Sequence, residues 1–196
     1  MDLLRRKDTL GLLLVLTFAV FLAAHTEVGA SFAQPLAEIR QAAEQGDAEA
    51  QFYLGEAFYT GTALPRDYTA AASWYKKAAA QGSAAAQNRL GAMYASGQGL
   101  SKDRQQALYF YQQAAEQGLV EAQTNLAFLL AKTDSRAQDA VQAYAWYSVA
   151  ANQGYENAIQ GRELAACRLT PEQRIQAIIA AAELQAKIGS GQQNRQ

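Results

Sequence analysis

The sequence predicts an all-α solenoid, built by stacking one two-helix unit several times. Three observations carry that prediction: a 36-residue period, helical spacing inside each period, and a composition that favours helix. The period shows first in AAEQG, at Ala42–Gly46 and again at Ala114–Gly118. AAAQG at Ala78–Gly82 and AANQG at Ala150–Gly154 complete the series. Inside a period, Ala50, Leu54 and Phe58 fall at i, i+4 and i+8, while Ala71, Trp74, Tyr75, Ala78 and Ala79 fall at i, i+3, i+4, i+7 and i+8. Alanine is abundant and only 3 of the 196 residues are proline, so little interrupts a helix. Charge is nearly balanced, 17 basic against 18 acidic residues, which argues against a nucleic-acid binder with its usual basic face.

In chain order, residues 1–33 read as a signal peptide. Arg5, Arg6 and Lys7 precede a 16-residue run without charge, Thr9–Ala24, and small residues follow. Cleavage after Ala33 fits the small-x-small rule best, and Val28-Gly29-Ala30 is the second choice. The run is short of the about 20 residues that a membrane span needs, although an uncleaved anchor stays open as an alternative. Export would place the chain in the periplasm or outside the cell. It would also remove His25, the one histidine, and leave Cys167 as the one cysteine, so no internal disulfide is possible.

Residues 34–47 read as a lone helix from a half-repeat. Three units follow without gaps: 48–83, 84–119 and 120–155. Each contains a helix A and a helix B, at about 48–60 and 67–81 in the first copy. Helices of that length are marginal alone in water, so they are held by packing. Gly55 and Gly91 stand mid-helix at the same repeat position, which costs roughly 1 kcal/mol each against alanine. The expected reason is a close crossing of helix B; the third unit has the small Ala127 there. The glycine that ends each AAEQG-type motif suits a left-handed residue just past a helix end.

The pattern resembles the Sel-one-like repeat (SLR) family, a branch of the tetratricopeptide-type (TPR) helical repeats. The residues that carry the resemblance are A-x-A-Q-x-x-L-G in helix A, Gly61 or Gly97-Gln98-Gly99 in the turn, and W-Y-x-x-A-A-x-Q-G closing helix B. The resemblance covers roughly Leu36 to Ile188. It implies a right-handed α–α superhelix of helix-turn-helix repeats, with adaptor or regulatory work as its function. The third unit departs from the pattern, since Thr133-Asp134-Ser135 replace the turn glycines. Residues 156–188 read as a degenerate capping repeat. Thr170-Pro171-Glu172-Gln173 looks like a helix start, with Thr170 as N-cap. The last helix carries Ile175, Ile178, Ile179 and Ala182 on one face, while its other face can be polar. Residues 189–196 read as a disordered tail.

Chemistry is hard to find in this chain. Ser73-x-x-Lys76 matches the nucleophile motif of serine β-lactamases and penicillin-binding proteins, but its partner motifs are missing and the other units do not keep it. An enzyme or ligand-binder acting on cell-wall material through Ser73 and Lys76 remains the alternative reading. Gly97–Lys102 is faintly like a phosphate loop, yet a helix precedes it, not a strand. Cys167 is expected to be packed and inert. No catalytic residue, cofactor or metal site is assigned.

The remaining signal lies in helix A columns that vary between units. The resemblance to tetratricopeptide architecture implies that the A helices line a concave groove. The groove residues would be Glu49, Phe52, Tyr53, Glu56 and Tyr59, then Asn88 and Arg89, then Thr124, Asn125 and Phe128. Aromatic residues beside polar ones suit capture of a protein or peptide partner. Phe52 and Phe128 could equally extend the core. The expectation is thus an exported, non-catalytic interaction module.

Overall fold

The computed structural model describes residues 36–132 and 137–193. The signal segment expected at 1–33 and the turn at Thr133-Asp134-Ser135 lie outside the described residues. Those described are helical, with no strand. Residues 36–44 are helical and are called α1. Then come α2 (Ala48–Thr60), α3 (Tyr68–Ala80), α4 (Ala84–Ser96), α5 (Arg104–Glu116), α6 (Val120–Ala131), α7 (Ala137–Ala151), α8 (Glu156–Ala166) and α9 (Pro171–Gln193). No helix among the described residues is long and apolar enough to cross a membrane.

Short polar side chains start these helices. Asp47 and Ser83 begin α2 and α4, each accepting from the backbone N–H three residues on. Asp67 and Asp103 begin α3 and α5 with two such bonds each. The AAEQG-type motif ends the B helices. Gly82 has φ +89°; its N–H donates to Ala79 O at 3.0 Å, and Ser83 N–H donates to Ala78 O at 3.1 Å. That pair of bonds is the Schellman closure, which needs a residue with positive φ. Gly46 and Gly118 close α1 and α5 in the same way.

Within each unit A packs on B, and each B packs on the next A. Alanine makes this possible: Ala71, Ala107 and Ala143 occupy one repeat column and Ala78, Ala114 and Ala150 another, all at 0 % exposure. The mid-helix glycines make room for a ring. A Cβ on Gly55 would lie 2.6 Å from Tyr75, and one on Gly91 2.6 Å from Tyr111. In the third unit Ala127 stands in that column, and Tyr147 lies against Gly161 of the following α8.

The C-terminal region differs from the sequence expectation in four ways. Helix α9 packs along α7, not as a B helix on α8, and its end reaches α5. Its buried side is Ala177 and Ile188, whereas Ile175, Ile178 and Ile179 are more than half exposed. The isoleucine face expected to form the cap is therefore the outer one. The physical reason is that α7, not α8, supplies the neighbour, and small Ala177 allows the close approach. Helix α9 also continues through 189–193, which were expected to be disordered; Ile188 anchors that end. Cys167, expected to be packed, is exposed at the end of α8.

Candidate functional site

The candidate groove residues lie on α2, α4 and α6, and the structure links several of them across the repeats. Glu56 of α2 is the centre. Its carboxylate accepts from Tyr75 Oη at 2.6 Å, from Arg89 Nε at 2.6 Å and from Arg89 Nη2 at 2.8 Å. The Arg89 guanidinium lies over the Tyr59 ring, 5.8 Å from its centroid, and Tyr59 Oη donates to Gln98 Oε1 at 3.1 Å. Glu56 and Arg89 are 33 residues apart, about one helical turn less than the repeat, so their ion pair joins α2 to the next A helix, α4. Asn125 Nδ2 donates to Asn88 Oδ1 at 3.1 Å, which joins α4 to α6 in a similar manner.

The other candidates are less connected. Phe52 is half-buried, edge-on to Tyr53 at 5.6 Å and tilted against Tyr75 at 5.9 Å, so it extends the core. Tyr53 is 50 % exposed, and so is much of Phe128, whose ring lies under Lys132 Nζ at 4.5 Å. Glu49 is exposed in the first turn of α2. Thr124 is half-buried, and its hydroxyl donates to Val120 O in its own helix.

Electrostatics follow from this arrangement. Burial pushes the Tyr75 phenol far up, and the Glu56 carboxylate adds to the effect. The hydrogen bonds to Glu56 hold Arg89 above its usual range against the opposing effect of burial. At the next junction Ala92 and Phe128 occupy the Glu56 column. Tyr111 there is pushed up to about 12, by burial first and then by Tyr59. The face is therefore graded: an ion-paired, aromatic end near α2, amides in the middle, and a cation on an exposed ring near the end of α6.

Sequence reasoning missed Tyr75, Gln98 and Lys132 as participants. Tyr75 recurs in every unit, so a search for varying columns passes over it. Sequence reasoning also missed the role of the glutamine in AAEQG. Gln81, Gln117 and Gln153 each donate to the Oε1 of a buried glutamine, Gln51, Gln87 and Gln123, at 2.7 to 2.9 Å. Those buried amides in turn donate to Ala43, Ala79 and Ala115 carbonyls of the preceding B helix.

Ser73 and Lys76 are both exposed on α3, and the Lys76 ammonium reaches toward Tyr94, 6.0 Å from the ring centroid. Gly97 and Gly99 sit in a turn that leaves α4, and a Cβ on Gly99 would strike the backbone of Tyr68. Gly97 is the left-handed C-cap of α4 and Gly99 serves close approach, and both follow a helix, which is not the setting of a phosphate loop. Among the described residues no group of His, Cys, Asp and Glu is suited to a metal.

Comparison with known proteins places this geometry. The Sel1 repeat family model matches residues 48–83, 84–119 and 120–155, the same windows that the 36-residue period marks out. No curated protein matches the chain. Among solved structures, the chain is similar to c5321, a protective antigen present in uropathogenic Escherichia coli strains that displays an SLR fold. The two are 34 % identical with a TM-score of 0.73 over 83 % of this chain and 35 % of that one. The chain thus spans about a third of that protein's length. It is also similar to a Sel1 repeat protein from Oxalobacter formigenes, 34 % identical with a TM-score of 0.58, over 66 % of this chain and 98 % of that one. The architecture is a helical-repeat scaffold of the kind typical of protein–protein interaction, and the chain belongs to the Sel1 repeat family.

Proposed function

We propose that this chain is an exported, non-catalytic adaptor that holds a protein or peptide partner along the face formed by α2, α4 and α6. The observation that carries the reading is the linkage of varying residues across successive A helices, Glu56 to Arg89 and Asn88 to Asn125. Varying residues that merely decorated separate helices would have no reason to share hydrogen bonds. Here they are held in fixed positions beside exposed Tyr53 and Phe128, and rigid aromatic residues next to oriented polar groups are the usual anchors of recognition. Export rests on the basic, apolar and small-residue order of residues 1–33.

The test is a crosslinking capture from envelope extract with the processed chain and with Tyr53→Ala and Arg89→Ala. Both substitutions are expected to lose the captured partner while helix content stays unchanged. Capture that survives both would show that this face is not the binding surface. Mass spectrometry of the chain's N-terminus decides export: a start at Gln34 or Ser31 means cleavage, and an intact start means an anchor.

A further inference from the structure

The B helices α3, α5 and α7 follow one another at the 36-residue step, so equivalent grooves run between α3 and α5 and between α5 and α7. Helix α9 lies over the second groove. Lys187 pairs with Glu116 of α5 at 3.0 Å, and Leu184 and Ile188 share a core cluster with Ala115, Trp146 and Val149. Ala145, Trp146 and Val149 on the α7 wall are all buried. One repeat earlier the same positions hold Tyr109, Phe110 and Gln113 of α5. There Tyr109 is 55 % exposed, Gln113 is exposed and Phe110 is half-buried. With Lys76, Ala79 and Ala80 of α3 they line a cleft of about 530 Å³. Among the described residues this cleft holds no helix: Ser190 and Gly191 of α9 reach only its near end, beside Gly82 and Gln113.

We propose that the α3–α5 cleft seats a helix of another protein, one that carries an acidic side chain where α9 carries Lys187. The molecule supplies the precedent, since the equivalent groove one repeat later already holds a helix. The walls say how the two occupants differ. In the filled groove the α5 wall presents Gln112 and Glu116, with Gln112 Nε2 donating to Glu116 Oε1 at 3.0 Å, and this wall receives Lys187. In the open cleft Lys76 stands in the place of Gln112 and Ala80 in the place of Glu116. The wall has changed from acidic to basic, so the charge it favours on an occupant is reversed. A second copy's α9 would set Lys187 against Lys76, which disfavours the chain itself as the occupant.

The opposite wall differs too. Tyr109 replaces Ala145 and Gln113 replaces Val149. The Tyr109 ring stands edge-on to Phe110 at 5.2 Å, and Phe110 stacks on Tyr94 at 5.7 Å, so the exposed ring is held in place. A ring where α7 has a methyl group calls for a small residue on the occupant, and a fixed tyrosine is a usual anchor of recognition. An amide where α7 has an isopropyl group keeps the wall wettable when the cleft is empty. A permanent element such as α9 rests on an apolar seat, whereas a partner that arrives and leaves meets a more polar one.

This cleft lies on the B helices and not on the α2–α4–α6 face, so the proposal stands or falls apart from the adaptor reading. The test is fluorescence anisotropy on the full purified chain with two labelled peptides. One is residues 171–193 as they stand, and the other is the same peptide with Lys187→Glu. The Lys187→Glu peptide is expected to bind about tenfold more tightly, because one repulsion becomes one attraction. Lys76→Gln with Ala80→Glu rebuilds the α5 wall of the filled groove at two exposed positions, so the fold is kept. That double variant is expected to reverse the preference. No binding of either peptide, equal binding of both, or a preference that the double variant leaves unchanged overturns the proposal. Tighter binding of the unaltered peptide to the wild-type chain overturns it equally, since that peptide would be displacing α9 from its own groove.

Discussion

At Gly91 one missing methyl group decides how a repeat closes. The Tyr111 ring occupies the space a Cβ would take, and the ring is 6 % exposed among Ala107, Ala114 and Leu126. Gly91→Ala gains roughly 1 kcal/mol of helix propensity. It also overpacks a filled core, at about 1–3 kcal/mol. The clash is with the rigid near side of the ring, so the second effect wins and the variant is expected to be less stable by up to about 2 kcal/mol. Urea denaturation measures this; a stabilised variant would show that Tyr111 can move aside. Gly82→Ala is a useful contrast. Nothing lies within 4 Å of its added Cβ, but φ is +89°, so its cost is backbone strain of about 1–2 kcal/mol. At this scale the sequence was readable in part. A glycine kept mid-helix twice announces a close approach. It does not say that a tyrosine ring fills the space, and Gly161 lies outside the column altogether.

Between elements, the buried glutamines carry a role the period could not reveal. Gln123 is fully buried, yet its amide is satisfied on both sides: it donates to Ala115 O at 3.2 Å and accepts from Gln153 Nε2 at 2.9 Å. Ala115 lies in the last turn of α5, where its carbonyl accepts Gly118 N–H at 3.0 Å and takes Gln123 Nε2 as a second donor. One side chain thus ties α5, α6 and the end of α7 together. Gln123→Ala removes the second donor to that carbonyl and the acceptor for Gln153 Nε2, and opens a small void in a dry site. The expected loss is about 1–3 kcal/mol. Gln123→Glu tests the donor directly. Its buried carboxylate has a raised pKa when folded, so the variant is weakest at neutral pH and recovers stability as pH falls and the acid can again donate. Equal stability of Gln123→Glu and wild type at pH 7 would sink this account. Helix positions were legible because periodicity and caps are local: α2 and α3 fall within a residue or two of expectation, and Thr170 and Gln173 form the reciprocal cap bonds. Hydrogen bonds that span 8 or 30 residues, and the choice of neighbour for α9, are not local.

For the whole molecule, stability runs along the stack, because each unit touches mainly the next. The varying columns could be read as a shared surface for the same reason: a fixed 36-residue step brings equivalent positions side by side. Which of them bond to each other could not be read, since Glu56 and Arg89 belong to different columns. Helix α9 breaks the pattern. It leaves α8 without a B partner and lies on α7, where Ala143, Ala145, Trp146, Val149 and Ala150 are buried. It then reaches α5, where Lys187 Nζ pairs with Glu116 at 3.0 Å. Gln112 and Lys187 hold the Glu116 carboxyl below its usual range despite partial burial. Helix α9 is therefore a strap across two units. Deleting residues 170–196 uncovers the outer side of α7 while leaving α2–α4 and their contacts intact. Hydrogen exchange on that truncated chain is expected to show protection lost in α6–α8 first and kept in α2–α4, with α5 between. A uniform loss along the chain would mean that the stack folds as one cooperative block, and a uniform retention would mean that α9 contributes nothing to holding it.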